Sequence, residues 1–500
     1  MPLTLEFSND SLTQVQADAL LVGRFENGSL PAELNDLLGK AAGDLLADSK
    51  GKTSEEVVVF YPRGEIGAKR LLIVGLGKQE KLTVETIRRA AAKGVTKAKA
   101  LGAATVTTTL GQQQGEGFSQ TEATRAVVEA AELALYKYSL KQKKDDEPEK
   151  GVETLVLLGA SDEALRAAAL GQAIARGVAQ ARDLVNAPPN IADAPFLAQT
   201  AREIAESSPH INVTVLSLEE AREMGMGAFA AVAQGSGVPA QFIVLEYRVQ
   251  ELQDQQPVGI VGKGLIFDTG GISIKPSADL WKMKTDMGGG AAVLGTFRAL
   301  AELPEPLNVP VVGVVPATDN VVGSRAFTPA DVLTALNGKT IEIQNTDAEG
   351  RLILADALTY VDRYHPRAVV DLATLTGAVV IALGNSLTGM FVNDEDLARR
   401  LQEAADRTGE EVWRMPLHAD YDKLIESDIA NVKNVGGRAG GSITAALFLQ
   451  HFIGDYPWSH LDIAGTAWGE DHKPKLPYNQ KGASGVGVRL LMDLIQSYSG

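Results

Sequence analysis

Short apolar runs alternate with stretches that are apolar at helical spacing along most of the chain. Residues 56–61 and 69–75 predict short buried strands, and residues 84–104 and 120–135 predict alanine-rich helices. The polar run KQKKDDEPEK (141–150) predicts an exposed hairpin loop whose charges cancel, and residues 153–158 predict one more strand. Ser161 is placed to cap a long helix that runs to Leu184. The sequence NAPPN (186–190) stops it, because two prolines cannot continue a helix. Beyond that point strands are expected at 241–247, 258–261, 309–315, 341–344, 368–372 and 458–463, with helices between most of them. This alternation predicts an α/β fold in two domains. Residues 1–160 form a smaller N-terminal α/β domain, assigned to oligomer contacts or regulation. An interdomain helix covers 161–187. Residues 188–500 form a larger C-terminal domain, whose mixed, largely parallel sheet is covered by helices on both faces.

Composition narrows the class. Hydrophobic residues at 45% and charged residues at 22% are those of a globular protein with ample core. The chain has no cysteine, which excludes disulfides, thiolate zinc sites and cysteine nucleophiles and fits a reducing cytoplasm. The start, MPLTLEFSND, has no basic segment ahead of an apolar one, and no run of about 18 uninterrupted apolar residues exists. A cytoplasmic protein without membrane spans is expected. A net charge of −16 repels the phosphate backbone, so nucleic-acid binding would need a local basic patch. The 50 glycines exceed the usual share of roughly 7%, and they gather in the second half around acidic motifs.

Familiar motifs fail on spacing. Gly75-Leu76-Gly77 and Gly262-Lys263-Gly264 follow predicted strands but lack the third glycine of a dinucleotide fingerprint. Gly51-Lys52-Thr53 and Gly338-Lys339-Thr340 resemble the end of a phosphate loop, yet Leu46 and Leu333 stand where its first glycine belongs. Among six histidines there is no H-E-x-x-H, and no Gly-x-Ser-x-Gly elbow exists.

Two segments hold more charge than structure requires. NTDAEGRL (345–352) places Asp347, Glu349 and Arg351 at every second position between a predicted strand and a predicted helix. A helix cap would account for Asp347 alone. Alternate residues of an extended segment share a face, so all three are expected to look into one cleft. The stretch VGIVGKGLIFDTGGISIKPSADLWKMKTDMGGG, from Val258, reads on its own as a glycine-rich surface loop with scattered charges. However, Asp268 follows Leu265-Ile266-Phe267, and a buried carboxylate needs a strong partner. Together the two segments put Asp268, Asp286, Asp347 and Glu349 at the C-terminal ends of predicted strands, the edge where open α/β sheets bind ligands. Four packed carboxylates repel one another unless cations compensate, and two divalent ions supply the matching charge. Such a pair activates water and polarises a carbonyl.

These segments resemble the signature segments of the leucyl aminopeptidases, the cytosol aminopeptidase family of metallopeptidases. The resemblance rests on VGKGLIFDTGGISIKP (261–276), MKTDMGGGAAV (283–293) and NTDAEGRL, and extends to ARDLVNAPPN (181–190), DLATLTGA (371–378), GGSITAALFL (440–449) and LDIAGTAW (461–468). It covers the chain from about residue 180; before residue 160 only the general layout is similar. The resemblance implies that Lys263, Asp268, Asp286 and Glu349 hold the tighter metal, and that Asp268, Asp347 and Glu349 hold the more exchangeable one. It gives Lys275 the role of electrostatic catalyst and makes Arg351 the holder of a bicarbonate general base. Met283 falls in the pocket for the substrate side chain, and Thr374, Leu375 and Gly377 line the cleft. The implied cofactors are two divalent ions, manganese, zinc or magnesium, with bicarbonate. The implied substrates are peptides with a free N-terminus, preferably bearing leucine or another apolar residue there, and the implied assembly is a homohexamer built as a dimer of trimers. One departure is Thr328-Pro329-Ala330-Asp331, where the family usually has arginine-proline-glycine-aspartate. Two alternatives stay open: a two-metal phosphoesterase, which would normally add histidine ligands, and an additional architectural DNA-binding role, against which the net charge argues.

Overall fold

The computed structural model describes residues 3–54, 56–141, 151–159, 161–249, 255–469, 476–479 and 481–499. The chain divides into two compact units, Met1–Arg176 with Lys475–Gln480, and Gly177–Pro474 with Lys481–Gly500.

The first unit is built on a six-stranded sheet of β1 (Thr4–Ser8), β2 (Ala19–Phe25), β3 (Val58–Phe60), β4 (Leu71–Gly77), β5 (Thr105–Thr108) and β6 (Thr154–Leu158). Their order is β1-β6-β5-β2-β4-β3, and every pair is parallel except β3 with β4. In β4 all seven residues, LLIVGLG, are buried, as expected of a parallel strand covered on both faces. The helix Val84–Ala100 begins at Thr83, whose side chain accepts from the Thr86 N–H, and Gln120–Leu135 begins in a capping box of Ser119 and Glu122. The first helix stops short of the expected residue 104 because Gly102 turns the chain with φ 72°. Sequence reading missed β1, β2 and β5. All but the first residue of the polar run 141–150 lies outside the described residues.

The second unit holds a nine-stranded mixed sheet. Its strands are β7 (Ile211–Ser217), β8 (Gln241–Tyr247), β9 (Val258–Gly262), β10 (Gly264–Asp268), β11 (Val311–Asn320), β14 (Ala368–Ala373), β15 (Thr388–Val392), β16 (Val412–Arg414) and β18 (Trp458–Asp462). The order is β16-β15-β18-β14-β9-β11-β8-β7, with β10 paired alongside β11. At its centre β18, β14, β9 and β11 run parallel, so their C-terminal ends share one edge. Helices cover the two faces. Val312 and Val314 of β11 join a core with the helix Gly350–Val361, while Gly313 between them faces Val293 and Phe297 of the helix Gly288–Ala301.

The expectation for residues 341–344 needs correction. They do not join the main sheet: β13 (Thr340–Glu342) lies in a separate three-stranded sheet between β12 (Val332–Thr334) and β17 (Val432–Lys433). Gly338, with φ 82°, turns the chain straight back onto β12, so its pairing is satisfied locally. Gly288–Gly290 form the first turn of the helix Gly288–Ala301. Those glycines serve close approach, since a Cβ on Gly289 would lie 1.9 Å from the Leu372 carbonyl oxygen. The helix start is thereby pressed against the ends of β9 and β14, and the preceding Asp286 is carried with it.

Candidate metal centre and substrate cavity

A cavity of about 480 Å3 opens at the C-terminal edge of the parallel strands. Each strand end delivers a polar group to this region. Lys263 follows β9, Asp268 closes β10, Asn320 closes β11, Thr374 follows β14, and Asp462 closes β18. The 3₁₀ helix Leu280–Met287 adds Met283 and Asp286. Lys263, Asp268, Lys275, Met283, Asp286, Asp347, Glu349, Arg351, Thr374, Leu375 and Gly377 all line this one cavity.

At its deepest part, one oxygen each from Asp268, Asp286 and Glu349 lie within 4.8 Å of one another, and all three residues are buried. The Lys263 Nζ reaches Asp286 Oδ2 at 2.7 Å, Glu349 Oε1 at 3.0 Å and the Thr374 carbonyl at 3.1 Å. On the more open side, the Lys275 Nζ lies 2.8 Å from Asp268 Oδ2 and 2.6 Å from Asp347 Oδ1. The Thr374 hydroxyl donates to Asp286 Oδ1 at 2.7 Å. Asp347 is 31% exposed at its side chain, whereas Glu349 is 1% exposed, so the acidic groups grade from buried to open.

Electrostatics follow from this packing. Burial, reinforced by Glu349 and Asp286, pushes the Asp268 carboxyl up to about 8. Burial also raises Asp286 and Asp347. For Glu349 burial acts upward too, but Lys263 and Lys275 outweigh it and hold the group below its ordinary value. Burial works against charge on Lys263 and Lys275, yet the surrounding carboxylates raise both. The two ammonium groups thus stand among acidic oxygens where cations are favoured. The donor set of three close carboxylate oxygens and a fourth at the rim fits hard or borderline divalent ions. A lysine becomes a ligand only when deprotonated, and adjacent dications favour that form.

NTDAEGRL reaches the cavity by a different geometry from the expected one. Residues 346–347 form a turn, and Glu349 already has helical backbone, φ −77° and ψ −33°, as the residue before the helix Gly350–Val361. Strand alternation is therefore not what gathers Asp347, Glu349 and Arg351. Asp347 does not cap the helix either: Glu349 occupies the cap position without a side-chain bond. The segment is held by its neighbours. The Thr346 hydroxyl donates to the Gly270 carbonyl at 2.7 Å, and the Asn434 side chain pairs with the backbone of Gln344 and Asn345. Arg351 is buried, and its Nη1 donates to the Asn434 carbonyl at 2.8 Å. Burial lowers its guanidinium to about 10, still charged at neutral pH.

Several contributors escaped the sequence reading. Asn320 donates from Nδ2 to Asp268 Oδ1 at 2.9 Å, to the Thr346 carbonyl at 3.0 Å and to Glu349 Oε2 at 3.3 Å, fastening two carboxylates. Buried Asp462 accepts from the Leu375 and Ala464 N–H groups and from the Thr376 hydroxyl, and so holds the cavity wall. Asp462 lies within LDIAGTAW, which marked its segment but not its task. For Asn320 an apolar strand gave no signal. Apolar lining comes from Met283, Leu375, Ala378, Val380 and Ala464, and no histidine is among the described lining residues.

Comparison with known proteins places the chain in a family. Residues 179–492 match the model of the cytosol aminopeptidase family, catalytic domain, and residues 21–144 match that of its N-terminal domain. A probable cytosol aminopeptidase of Roseiflexus castenholzii is 45% identical, over 96% of both chains. One from Syntrophotalea carbinolica is 44% identical, over 96% of this chain and 97% of its own. Among solved structures, a tomato leucine aminopeptidase mutant superposes with a TM-score of 0.87 at 33% identity, covering 99% of this chain and 97% of its own. The bottromycin maturation enzyme BotP in complex with Mn gives 0.84 at 35% identity, covering 97% and 100%. With both of its parts matched, the chain belongs to the cytosol aminopeptidase family, a family of metallo-aminopeptidases.

Proposed function

We propose that the protein removes N-terminal residues from peptides, leucine and other apolar ones preferentially, with two divalent ions per chain. The observation that carries this reading is the close approach of the Asp268, Asp286 and Glu349 oxygens beside an apolar-walled cavity. Lys263, Asp268, Asp286 and Glu349 would hold the tighter ion, and Asp268, Asp347 and Glu349 the more exchangeable one. When bound, the ions lower the pKa of water and polarise the scissile carbonyl. Manganese, zinc and magnesium all suit these donors, and a similar enzyme is described with Mn.

The chain's own residues divide the remaining work. Lys275, held protonated by Asp268 and Asp347, stabilises the negative charge that develops on the carbonyl oxygen. Arg351 would retain a bicarbonate ion, which takes up a proton in place of a basic side chain. Met283 and Leu375 contact the apolar side chain of the substrate, and the flexible thioether suits leucine. A free α-amino group would bind the more exchangeable ion, beside the open side at Asp347, which would confine cleavage to chain ends. We further infer a homohexamer, a dimer of trimers, in the cytoplasm. The absence of cysteine supports that compartment, and no helix among the described residues is long and apolar enough to cross a membrane.

Calorimetric titration of metal-depleted protein with manganese or zinc tests the reading, paired with hydrolysis of leucine p-nitroanilide and p-nitrophenyl phosphate. Two ions per chain and cleavage of the anilide are expected. One ion per chain, or preference for the phosphate ester, would overturn it. Sedimentation mass measures the hexamer, and a salt-dependent gel shift reads any DNA-binding role.

A further inference from the structure

Among the described residues, eight charged ones line the cavity, and seven belong to the cluster already described. The eighth is Arg438. It is exposed and makes no hydrogen bond or ion pair with any described residue. Every other cation lining the cavity is engaged: Lys263 and Lys275 by carboxylates, and Arg351 by the Asn434 carbonyl.

Arg438 nevertheless stands on a fixed root. Asn434, four residues earlier, is fully buried. Its side chain accepts from the Gln344 N–H at 2.9 Å and donates to the Asn345 carbonyl at 2.7 Å. The loop bearing Arg438 is thereby tied to the segment that carries Asp347 and Glu349. Gly437 and Gly440, with φ 91° and 63°, make the turns that return the chain into the helix Gly441–Gln450, whose first residue also lines the cavity. A long cationic side chain thus stands on an anchored loop at the cavity, with no partner among the described residues.

We propose that Arg438 is a specificity-determining residue that pairs with a carboxylate of the peptide beyond the scissile bond, and so favours short substrates with a free C-terminus. The inference rests on the aminopeptidase reading above. A dipeptide offers an amino group, which the metal centre of that reading would hold, and a carboxylate, which suits the guanidinium of Arg438. Guanidinium and carboxylate meet in a planar, two-pronged pair, which a lysine reproduces only as a point charge.

The test compares kcat/KM for Leu-Gly, Leu-Gly amide and Leu-Asp amide, in the wild-type protein and in Arg438→Gln and Arg438→Lys, with manganese present. The wild type is expected to prefer Leu-Gly over its amide by about tenfold, mainly through KM. Arg438→Gln should bring that ratio near one, and Arg438→Lys should restore part of it. If the wild type also cleaves Leu-Asp amide faster than Leu-Gly amide and Arg438→Gln removes that difference, the pairing extends to a side-chain carboxylate; if only the Leu-Gly preference is removed, the C-terminus alone is read. An unchanged ratio in Arg438→Gln, with leucine p-nitroanilide still cleaved, overturns this inference and leaves the aminopeptidase reading standing. Failure of the wild type to cleave any of these substrates removes both.

Discussion

Replacing Asn320 by alanine separates the role of the strand end from that of the ligands. The amide now donates to Asp268 Oδ1, the Thr346 carbonyl and Glu349 Oε2 at 2.9, 3.0 and 3.3 Å. The longest contact adds little. Asp268 Oδ1 also keeps the Gly270 N–H at 2.8 Å, so the substitution loosens this carboxylate without leaving it bare. Partners that orient metal ligands are worth about 10–100-fold in affinity. With one good bond to a ligand lost and one retained, the lower part of that range applies. Asn320→Ala should weaken manganese binding by about tenfold, or about 1.4 kcal/mol. Calorimetric titration of metal-depleted protein gives the affinity directly, and activity against free manganese gives it independently. At saturating metal most of the turnover should return. Wild-type affinity in Asn320→Ala, or an equal loss of turnover at every metal concentration, would show that Asn320 does not act through the metal centre.

Glu349→Ala and Lys275→Ala should each abolish peptidase activity while leaving the far-UV circular dichroism and the oligomer unchanged; near-normal turnover in either would defeat the two-metal assignment. Ala330 holds φ 77° in the turn where the family usually has glycine. A left-handed alanine costs about 1–2 kcal/mol, and glycine returns about 0.4–1 of that through chain entropy, so Ala330→Gly should raise stability in urea by about 0.5–1 kcal/mol. Lys69, together with the Ala104 and Thr105 N–H groups, lowers the Asp18 carboxyl from 3.8 to about 2. The folded state therefore binds this proton less tightly than the unfolded state does. The stabilisation is complete above about pH 4 and is lost as pH falls through about 2. Asp18→Asn should lower stability at pH 7 and flatten its acid dependence between those values.

Where the sequence was legible, local chemistry set the outcome. Residues 241–247 are a strand end to end, with the apolar run Phe242–Leu245 buried at its centre. NTDAEGRL stood out because three charges beside apolar runs have no local use. The departure at Ala330 was visible as a letter, and the structure gives it a cost. Other features were hidden by pairing. Nothing local distinguishes β13, in a small separate sheet, from a strand of the main one. The glycines at 288–290 look like a loop in sequence, but contact with Leu372, more than eighty residues away in the chain, makes them a helix start.

The sequence by itself marked the charged residues that gather at the cavity, because four carboxylates set in glycine-rich, apolar surroundings demand compensating charge. Only the tertiary structure decided how they meet. Parallel pairing of β18, β14, β9 and β11 brings their ends to one edge, and packing of the helix Gly288–Ala301 delivers Asp286 there. The same packing recruits Asn320 and Asp462 and leaves Arg438 lining the cavity with no partner among the described residues. The reason is physical: charge is a property of the residue, whereas burial and distance belong to contacts between segments far apart in the chain.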